Sequence, residues 1–303
     1  MNDENIKMRD VRSSFEQQGE HATVIEFATD GWSIPSGGHL QGIQRTDIDG
    51  RRYFIISGSS DDAAYFIVVG RTSRGYGIVQ RKVICREPYR HAGGIQVIGD
   101  YLAVGVEDNL ERDKSRVHFF DVASPEEPIG EPIITIQREG TKKLATAGAV
   151  AVAKRARDYL LIAGSWDSDT LDFYRSNGAA LREPGCEFTY WQTWSKNDAC
   201  KENWCNDTWG SYQNLNLISD IHDRLFLLGY YCNADNGDCV DLYSLDLSKP
   251  SSEMVRKESS KIAKCKQGAS FKYGGGGYIK DEDSLVSYAC ERNCRDTTVI
   301  NEF

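Results

Sequence analysis

The sequence has 303 residues, 40% of them hydrophobic and 27% charged, a composition that excludes collagenous, low-complexity and disordered classes. Lysine and arginine number 36 against 45 aspartates and glutamates, and the resulting net charge of −9 argues against nucleic acid as a partner. No apolar run approaches the roughly 20 residues that a transmembrane helix needs, so we expect no membrane span.

The first part of the chain, residues 1–20, is charged throughout and carries no apolar segment, so we see no secretory signal in it. We interpret these residues as a flexible N-terminal extension outside the folded domain. The next segment, HATVIEFA at 21–28, predicts one β-strand that has no partner strand close to it in the sequence.

Five similar units follow this strand, and each opens with a β-like run of small and polar residues. These runs are HLQGIQ (39–44), HAGGIQ (91–96), ATAGAVAV (145–152), SYQNLNL (211–217) and GASFKYG (268–274). In every unit an apolar run and then a third, often alternating run follow, as expected for consecutive strands. A fourth run is present in the first four units, whereas the fifth unit ends with TTVINEF (297–303) before reaching it.

The missing fourth strand explains the unpartnered strand at residues 21–28. If that strand completes the last unit, five four-stranded units close into a ring that leaves only short, protected sheet edges. We therefore predict an all-β fold, a five-bladed β-propeller that forms a single domain over residues 21–303. A β-sandwich is the alternative, but it would explain neither the shared order of the runs nor the isolated first strand.

Two segments at the end of the third strand resemble known propeller repeats. HFFDVASPEEPI (118–129) is similar to repeats that end this strand in an FDVSNPxxP-type turn, and LYSLDLSKP (242–250) is a fainter match. The chain thereby resembles the β-propeller superfamily, whose five-bladed members include lectins and glycosidases or nucleotidases with a carboxylate and calcium centre. The catalytic motifs of those enzymes are not matched, so the resemblance implies a fold and assigns no catalytic residue.

Nine cysteines are present, and eight of them lie in the second half of the chain. Their short separations predict two loop-stapling disulfides, Cys232 with Cys239 and Cys290 with Cys294. Asn206 begins a sequon for N-glycosylation, and together these features indicate a secreted or extracellular glycoprotein whose signal peptide is absent from this sequence. A structural zinc site is the alternative, but no histidine accompanies the cysteine pairs. The odd number leaves at least one thiol free or intermolecular.

Propellers bind ligands on the face formed by the loops that enter the inner strands and the loops between the second and third strands. In the first two units this face carries a histidine with a glutamine five residues later, His39 with Gln44 and His91 with Gln96. The two imidazoles could point at one ligand, or each could bond to backbone within its own unit. The further candidate ligand-binding residues on this face are Trp166, Asp167, Tyr212, Asn214 and Tyr230.

The loops between the second and third strands are acidic, and Glu107, Asp108, Asp167 and Asp169 are among their carboxylates. Such carboxylates could bind Ca²⁺ or supply the acid and base of a glycosidase, but aspartate is also a common residue of solvated turns. Beside the aromatic rings of this face, the acidic loops favour a polyhydroxylated or cationic ligand over an anionic one.

From these features we expect a secreted, lectin-like β-propeller that recognises a glycan or a protein ligand at the mouth of its central channel. The alternative is a propeller hydrolase, glycosidase-like or nucleotidase-like, that uses carboxylates at the channel mouth with Ca²⁺ as a candidate cofactor. A protein-binding scaffold is a third hypothesis. Motifs of other enzyme classes, GxSxG, HExxH and the Walker loop, do not occur in the sequence.

Overall fold

The structure is a computed structural model that describes residues 6–235 and 237–303. Within these residues the chain forms one α-helix, α1 (Val11–Gln17), and twenty β-strands, so the predicted all-β class is confirmed. The first ten strands are β1 (Thr23–Ala28), β2 (His39–Ile48), β3 (Arg51–Ser59), β4 (Ala63–Thr72), β5 (Gly75–Arg86), β6 (His91–Ile98), β7 (Tyr101–Glu107), β8 (Lys114–Asp121), β9 (Ile134–Glu139) and β10 (Ala149–Lys154). The others are β11 (Tyr159–Gly164), β12 (Thr170–Ser176), β13 (Phe188–Ser195), β14 (Asn214–Ser219), β15 (Leu225–Asn233), β16 (Gly237–Leu245), β17 (Val255–Ala263), β18 (Ala269–Asp281), β19 (Ser284–Glu291) and β20 (Thr297–Glu302).

Consecutive strands pair in antiparallel order into units of four. Strands β6–β9, β10–β13 and β14–β17 each form a four-stranded sheet, and we call these sheets the second, third and fourth units. The first unit, β2–β5, and the fifth, β18–β20 with β1, share an eight-stranded sheet that is joined by a short parallel contact of β1 with β5 at Phe27 and Tyr76. Strand β1 lies antiparallel to β20 along its whole length, so the predicted pairing of the N-terminal strand with the last strand is confirmed.

The innermost strands of the units, β2, β6, β10, β14 and β18, contact one another in cyclic order around a common axis. Glycines allow this closure where two backbones meet. A Cβ atom on Gly93 would lie 2.1 Å from the carbonyl oxygen of Gly148, and one on Gly276 would lie 1.9 Å from that of Ile43. No side chain fits at these distances, so the glycine run at 274–277 serves the close approach of strands.

Amide side chains tie the innermost strands together across this axis. Gln96 Oε1 accepts hydrogen bonds from the backbone N–H groups of Val152 and Leu217, each at 2.9 Å. Gln44 Nε2 donates to Asn216 Oδ1 at 3.2 Å. Both glutamines are buried, and each follows a β-bulge in its strand. Because these hydrogen bonds join side chains of β2 and β6 to β10 and β14, the two amides link the innermost strands to one another.

Hydrophobic cores lie between neighbouring units and hold the sheets face to face. Between the second and third units, for example, Phe119, Val152 and Leu161 are fully excluded from solvent. Strand β9 alternates buried and exposed residues along its length, as expected when only one face of an outer strand meets a neighbouring unit. Burial of each such large side chain contributes roughly 1.5–3 kcal/mol, so the inter-unit cores dominate the stability of the ring.

Residues 6–20 pack against the fourth and fifth units, which corrects the expectation of a flexible extension. Met8 and Phe15 are fully buried in the core shared by these two units. Asp10 caps helix α1 by accepting a hydrogen bond from Ser13 N, and Lys261 Nζ donates to the carbonyl oxygen of Glu16 at 2.8 Å near the helix end. Residues 1–5 of the predicted extension lie outside the described residues. In the described part of the chain, no helix combines the length and apolarity needed to cross a membrane.

All nine cysteines are free thiols, so the two predicted disulfides are not formed in the structure. In the hairpin of β15 and β16, Cys232 lies opposite Asp238, and Cys239 lies opposite Tyr231. Opposite residues share a face of the sheet, whereas consecutive residues alternate between faces. The side chains of Cys232 and Cys239 therefore point to opposite faces, which the separation in sequence could not reveal.

The second predicted pair, Cys290 and Cys294, also consists of free thiols. Cys290 donates its S–H to the carbonyl oxygen of Tyr273 at 3.3 Å, and complete burial raises its pKa well above the usual range. Burial raises the pKa of Cys294 to about 12. Because the thiolate is the reactive form in disulfide exchange, both groups are poorly reactive in this environment.

His118, a buried residue of β8, makes the stability of the fold depend on pH. Its Nδ1 lies 2.8 Å from Thr135 Oγ1, and burial, assisted by the positive charge of Arg116, lowers its pKa from 6.5 to about 4. The folded protein therefore stays neutral at this site while the unfolded chain binds a proton below pH 6.5. Stability is lost as pH falls from 6.5 to 4, by about 3 kcal/mol from this group alone.

We expect His118→Gln to weaken this acid sensitivity, because glutamine has no proton to gain. The free energy of unfolding, measured by urea titration at pH 7 and pH 4.5, should fall less in the variant than in the unchanged protein. His222→Gln, a substitution at an exposed position, is the matched control and should keep the original pH dependence. If the free energy of unfolding falls by the same amount between pH 7 and pH 4.5 in all three proteins, His118 is not the source of the acid sensitivity.

Candidate functional site

A cavity of about 560 Å³ opens where the loops that enter the innermost strands meet the loops between the second and third strands. We call it the channel-mouth cavity. Five of the predicted ligand-binding residues line it: His39, His91, Trp166, Asp167 and Tyr212. They come from four different units, and the cyclic arrangement of the innermost strands brings them to one opening.

Four other predicted ligand-binding residues do not line the channel-mouth cavity. Gln44 and Gln96 are the buried links between strands described above, and Asn214 Nδ2 donates to the backbone carbonyl of Gln41 at 3.2 Å. Tyr230 is fully buried, with its hydroxyl 3.1 Å from Ser287 Oγ, and burial raises its pKa. These polar atoms are occupied within the protein because the innermost strands approach too closely to leave them exposed.

Tyr212 lines the cavity but is only 1% exposed, and its hydroxyl belongs to a buried polar network. The hydroxyl donates to Asp241 Oδ2 at 2.5 Å and also meets the hydroxyl of Tyr243. Lys257 Nζ lies 2.8 Å from the same Asp241 oxygen, and both charged side chains are fully buried. Burial raises the pKa of the Tyr212 hydroxyl well above its usual value, so this group supports the wall and is not free to react.

A histidine–carboxylate pair stands on the wall that the second unit provides. His91 Nδ1 lies 3.2 Å from Glu107 Oε1, and Glu107 Oε2 accepts a hydrogen bond from Ala147 N at 2.9 Å. Both residues line the cavity, although the Glu107 side chain is only 1% exposed. Nδ1 is buried beside this carboxylate but makes no hydrogen bond among the described residues, so Nε2 is the ring nitrogen left for a ligand. The sequence placed Glu107 among many acidic loop residues, with no signal that set it apart.

Asp167 stands on the wall that the third unit provides, in a strained turn between β11 and β12. It adopts a φ of 57° and the next residue, Ser168, a φ of 55°, a left-handed conformation that costs energy for residues other than glycine. Ser168 Oγ donates to the backbone carbonyl of Tyr212 at 2.9 Å and holds the turn in place. Burial and, next, the negative charge of Asp169 raise the pKa of the Asp167 carboxyl. Strain and a raised pKa at one exposed opening are typical of functional carboxyls.

A chain of hydrogen bonds crosses the cavity floor from His39 to Asp167. His39 Nε2 lies 2.8 Å from Gln41 Oε1, Gln41 Nε2 donates to Gln213 Oε1 at 3.0 Å, and Gln213 Nε2 donates to Asp167 Oδ1 at 3.3 Å. Burial and then the nearby His91 lower the pKa of His39 to about 4, so its ring is neutral near pH 7 and Nε2–H donates to Gln41. The chain fixes the orientation of the Asp167 carboxyl from the opposite side of the cavity.

Aromatic and cationic groups complete the walls. The guanidinium of Arg112 lies 3.7 Å from the centre of the Trp166 ring, which holds this ring beside Asp167. On the fifth unit, Lys272, Tyr273 and Arg292 face the same cavity. Sequence reasoning missed Tyr273 and Arg292, since a tyrosine before a glycine run and an arginine in a polar loop are common features of β-proteins.

In the part of the chain that the structure describes, the acidic loops do not assemble a calcium site of the kind anticipated from the sequence. Across residues 6–235 and 237–303, no group of three or more histidine, cysteine, aspartate or glutamate side chains is placed to hold a metal ion. Asp108 illustrates why, because its Oδ1 accepts hydrogen bonds from the backbone N–H groups of Leu110 and Glu111 and so orders its own loop.

Asn206, the predicted glycosylation site, is exposed on the loop that follows β13. Its Oδ1 accepts hydrogen bonds from Lys257 Nζ at 3.0 Å and from Thr208 Oγ1 at 2.6 Å. The side chain thus helps to cover the buried Lys257. Glycosylation at Asn206 and secretion of the protein stay predictions.

Comparison with known proteins identifies the fold. No protein-family model matches the chain, and no curated protein is similar to it in sequence. Among solved structures, a GH43_1 enzyme from Xanthomonas citri is 10% identical over 89% of this chain and 90% of that chain, with a TM-score of 0.50. The catalytic domain of a GH62 α-L-arabinofuranosidase from Coprinopsis cinerea is 9% identical over 87% and 90% of the two chains, with a TM-score of 0.51.

A third similar structure is the RS223 β-xylosidase, which is 9% identical over 88% of this chain and 92% of that chain, with a TM-score of 0.51. At these identities the likeness concerns the fold alone. The chain therefore has an all-β propeller fold of the kind found in these structures, as the order of strands within each unit also indicates.

Proposed function

We propose that the protein is a five-bladed β-propeller that hydrolyses a glycosidic bond in the channel-mouth cavity. The observation that carries the proposal is the presence in one cavity of Asp167, half-buried with a raised pKa, and of the His91–Glu107 pair. The similar structures named as an arabinofuranosidase and a β-xylosidase support a glycoside as the substrate. Hydrolysis, the alternative in the sequence analysis, thereby replaces ligand binding alone as the favoured function.

Asp167 is the proposed general acid. A carboxyl group can protonate a leaving oxygen at neutral pH only if its pKa is raised, and burial and the charge of Asp169 act in that direction here. The hydrogen bond from Gln213 occupies Oδ1, which leaves Oδ2 to carry the proton. Oδ2 of Asp167 would donate this proton to the glycosidic oxygen as the bond to the anomeric carbon breaks.

His91 is the proposed general base. Its Nε2 would take a proton from the water that attacks the anomeric carbon, and the Glu107 carboxylate beside Nδ1 would stabilise the imidazolium that forms. One water is consumed: its hydroxyl joins the anomeric carbon, and its proton is held on His91. The leaving alcohol carries the proton from Asp167, and exchange with solvent restores both residues.

The walls of the cavity suit a sugar ring. Trp166 of the third unit and Tyr273 of the fifth unit line the cavity, and sugar rings stack on flat apolar surfaces of this kind. The amides of Gln41 and Gln213 line the same cavity and are held by their mutual hydrogen bond at 3.0 Å. Fixed amides of this kind distinguish the positions of hydroxyl groups, because a missing partner leaves a buried polar atom unpaired.

The proposal predicts that Glu107→Gln abolishes most of the turnover. Glutamine keeps an acceptor for Ala147 N, but it removes the charge that stabilises the His91 imidazolium, so kcat should fall by about 10²-fold. The measurement is release of reducing ends from a panel of xylo-, arabino- and galacto-oligosaccharides and their uronic-acid counterparts. Asp113→Asn, a change at a partly exposed carboxyl in the same loop that does not line the cavity, is the matched control and should keep the original rate.

Folding of the Glu107→Gln protein is checked by its melting temperature, so that a lost activity is not mistaken for a lost structure. A folded variant that cleaves at the original rate would remove His91 and Glu107 from the mechanism. Calorimetric binding of an oligosaccharide that the unchanged protein never cleaves would return the function to ligand binding alone.

A further inference from the structure

The wall that the fifth unit gives to the channel-mouth cavity carries two cations around one aromatic ring. Lys272 belongs to β18, and Arg292 follows β19 directly. Lys272 Nζ and the guanidinium carbon of Arg292 each lie 5.8 Å from the centre of the Tyr273 ring. The two positive charges therefore flank the surface on which the proposed function would stack a sugar.

Among the described residues, these two cations are not paired with carboxylates. Neither Lys272 nor Arg292 belongs to an ion pair there, whereas Lys114 of the second unit and Lys196 of the third unit do. Both side chains are exposed and line the channel-mouth cavity, so their charges are available to a ligand.

The acidic groups of the cavity do not neutralise this wall. Glu107 is engaged by His91 and by the Ala147 backbone, and Asp167 is influenced by the positive charges of Lys196 and Lys143 on its own side. The charge of Arg292 reaches across to the first unit, where it contributes to the low pKa of His39. The side of the cavity formed by the fifth unit is thus locally positive.

We infer that the channel-mouth cavity takes an acidic glycan, a uronic-acid oligosaccharide whose carboxylate is held by Arg292 and Lys272 beside the Tyr273 ring. The inference rests on the proposed function and names its substrate class. The planar guanidinium of arginine matches a carboxylate with two parallel hydrogen bonds, and lysine adds a second charge. An anionic ligand differs from the expectation that a polyhydroxylated or cationic ligand is favoured over an anionic one, because that expectation rested on the composition of the loops and not on which carboxylates are already engaged.

The test compares oligosaccharides that differ only in the acid group. The probes are α-1,4-linked trigalacturonate against α-1,4-linked galactotriose, and β-1,4-linked cellotriouronate against cellotriose, titrated by calorimetry into the full chain at low salt. For at least one pair, we expect the acidic member to bind about tenfold or more tightly than the neutral one, with the difference reduced at high salt.

Substitutions test whether the preference for acidic oligosaccharides comes from the wall of the fifth unit. Arg292→Gln should remove most of the acidic preference, with a loss of about tenfold in affinity for the acidic probe and little change for the neutral one. Lys272→Gln should act in the same direction. Arg295→Gln is the matched control, because Arg295 is an exposed arginine of the same loop that does not line the cavity, and it should retain the preference.

The outcomes separate this inference from the proposed hydrolysis. Equal affinity for acidic and neutral members, or equal effects of Arg292→Gln and Arg295→Gln, overturns the acidic substrate while leaving hydrolysis of a neutral glycan standing. If an acidic probe binds tightly, loses affinity in Arg292→Gln and is never cleaved, the inference is supported and hydrolysis is contradicted. If no member of any pair binds, the acidic substrate is overturned, and the release of reducing ends from the xylo- and arabino-oligosaccharides decides hydrolysis separately.

Discussion

Replacing Asp167 with asparagine is expected to lower kcat by about 10²- to 10⁴-fold on glycosides whose leaving group is a second sugar. Asparagine keeps the size of the side chain and can still accept the hydrogen bond from Gln213, but it cannot donate a proton to the leaving oxygen. The deficit should shrink strongly for an aryl glycoside with an activated phenolate leaving group, because that group departs without protonation. Steady-state rates on both substrate types provide the measurement.

Asp169→Asn is the informative companion to Asp167→Asn. Asp169 pairs with Lys196 at 2.5 Å, and its charge helps to raise the pKa of Asp167. Turnover needs the protonated form of Asp167, so kcat falls as pH rises through that pKa. Removal of the Asp169 charge lowers the pKa of Asp167, and the falling limb of the pH–kcat profile should therefore move to lower pH. If Asp169→Asn leaves the falling limb of the pH–kcat profile in place, Asp167 is not the acid. The same conclusion follows if Asp167→Asn lowers kcat equally on both substrate types.

Phe27→Ala is expected to destabilise the fold by about 3–5 kcal/mol. Phe27 is 1% exposed on β1, the strand that completes the fifth unit and touches the first, and it packs in a core with Phe54 and Tyr288. Removal of its ring leaves a cavity at the junction of the two ends of the chain. Urea unfolding measures the loss, and Glu26→Ala, at the neighbouring exposed position of the same strand, should change stability by less than about 0.5 kcal/mol. Similar effects of the two substitutions would mean that β1 does not close the ring.

The strands were predictable because the same order of apolar runs repeats in each unit, and an apolar run marks the residues that a strand buries. The last unit lacks a fourth run, and the strand at residues 21–28 has no partner nearby in the sequence. Together these two features predict that the two segments pair, and the pairing of β1 with β20 confirms it. Helix α1 was not predictable in the same way. Its seven residues contain a single apolar pair at helical spacing, Val11 and Phe15, which is too short a pattern to predict a helix, and the helix is ordered by Met8 and Phe15 packing into the fourth and fifth units.

The candidate site was predictable only in part, because sequence position indicates an end of a strand and not the direction of a side chain. The matched spacing of His39 with Gln44 and His91 with Gln96 suggested equivalent roles for all four. The bulges in β2 and β6 instead separate the histidines at the cavity from the glutamines along the axis. The hydrogen-bond chain from His39 to Asp167 joins three units through Gln41 and Gln213, which lie 172 residues apart, so no local pattern announces it.

Hydrolysis in the channel-mouth cavity is tested most directly by the fate of the attacking water. The full chain is incubated in H₂¹⁸O with the oligosaccharide that it binds most tightly, and the products are analysed by mass spectrometry immediately after cleavage. Attack of water at the anomeric carbon predicts one ¹⁸O atom in the product with the new reducing end, and Asp167→Asn should form this product far more slowly. Products that carry no ¹⁸O and that contain a fragment lighter by one water, as elimination would give, or no products from any probe, would contradict hydrolysis by Asp167 and His91.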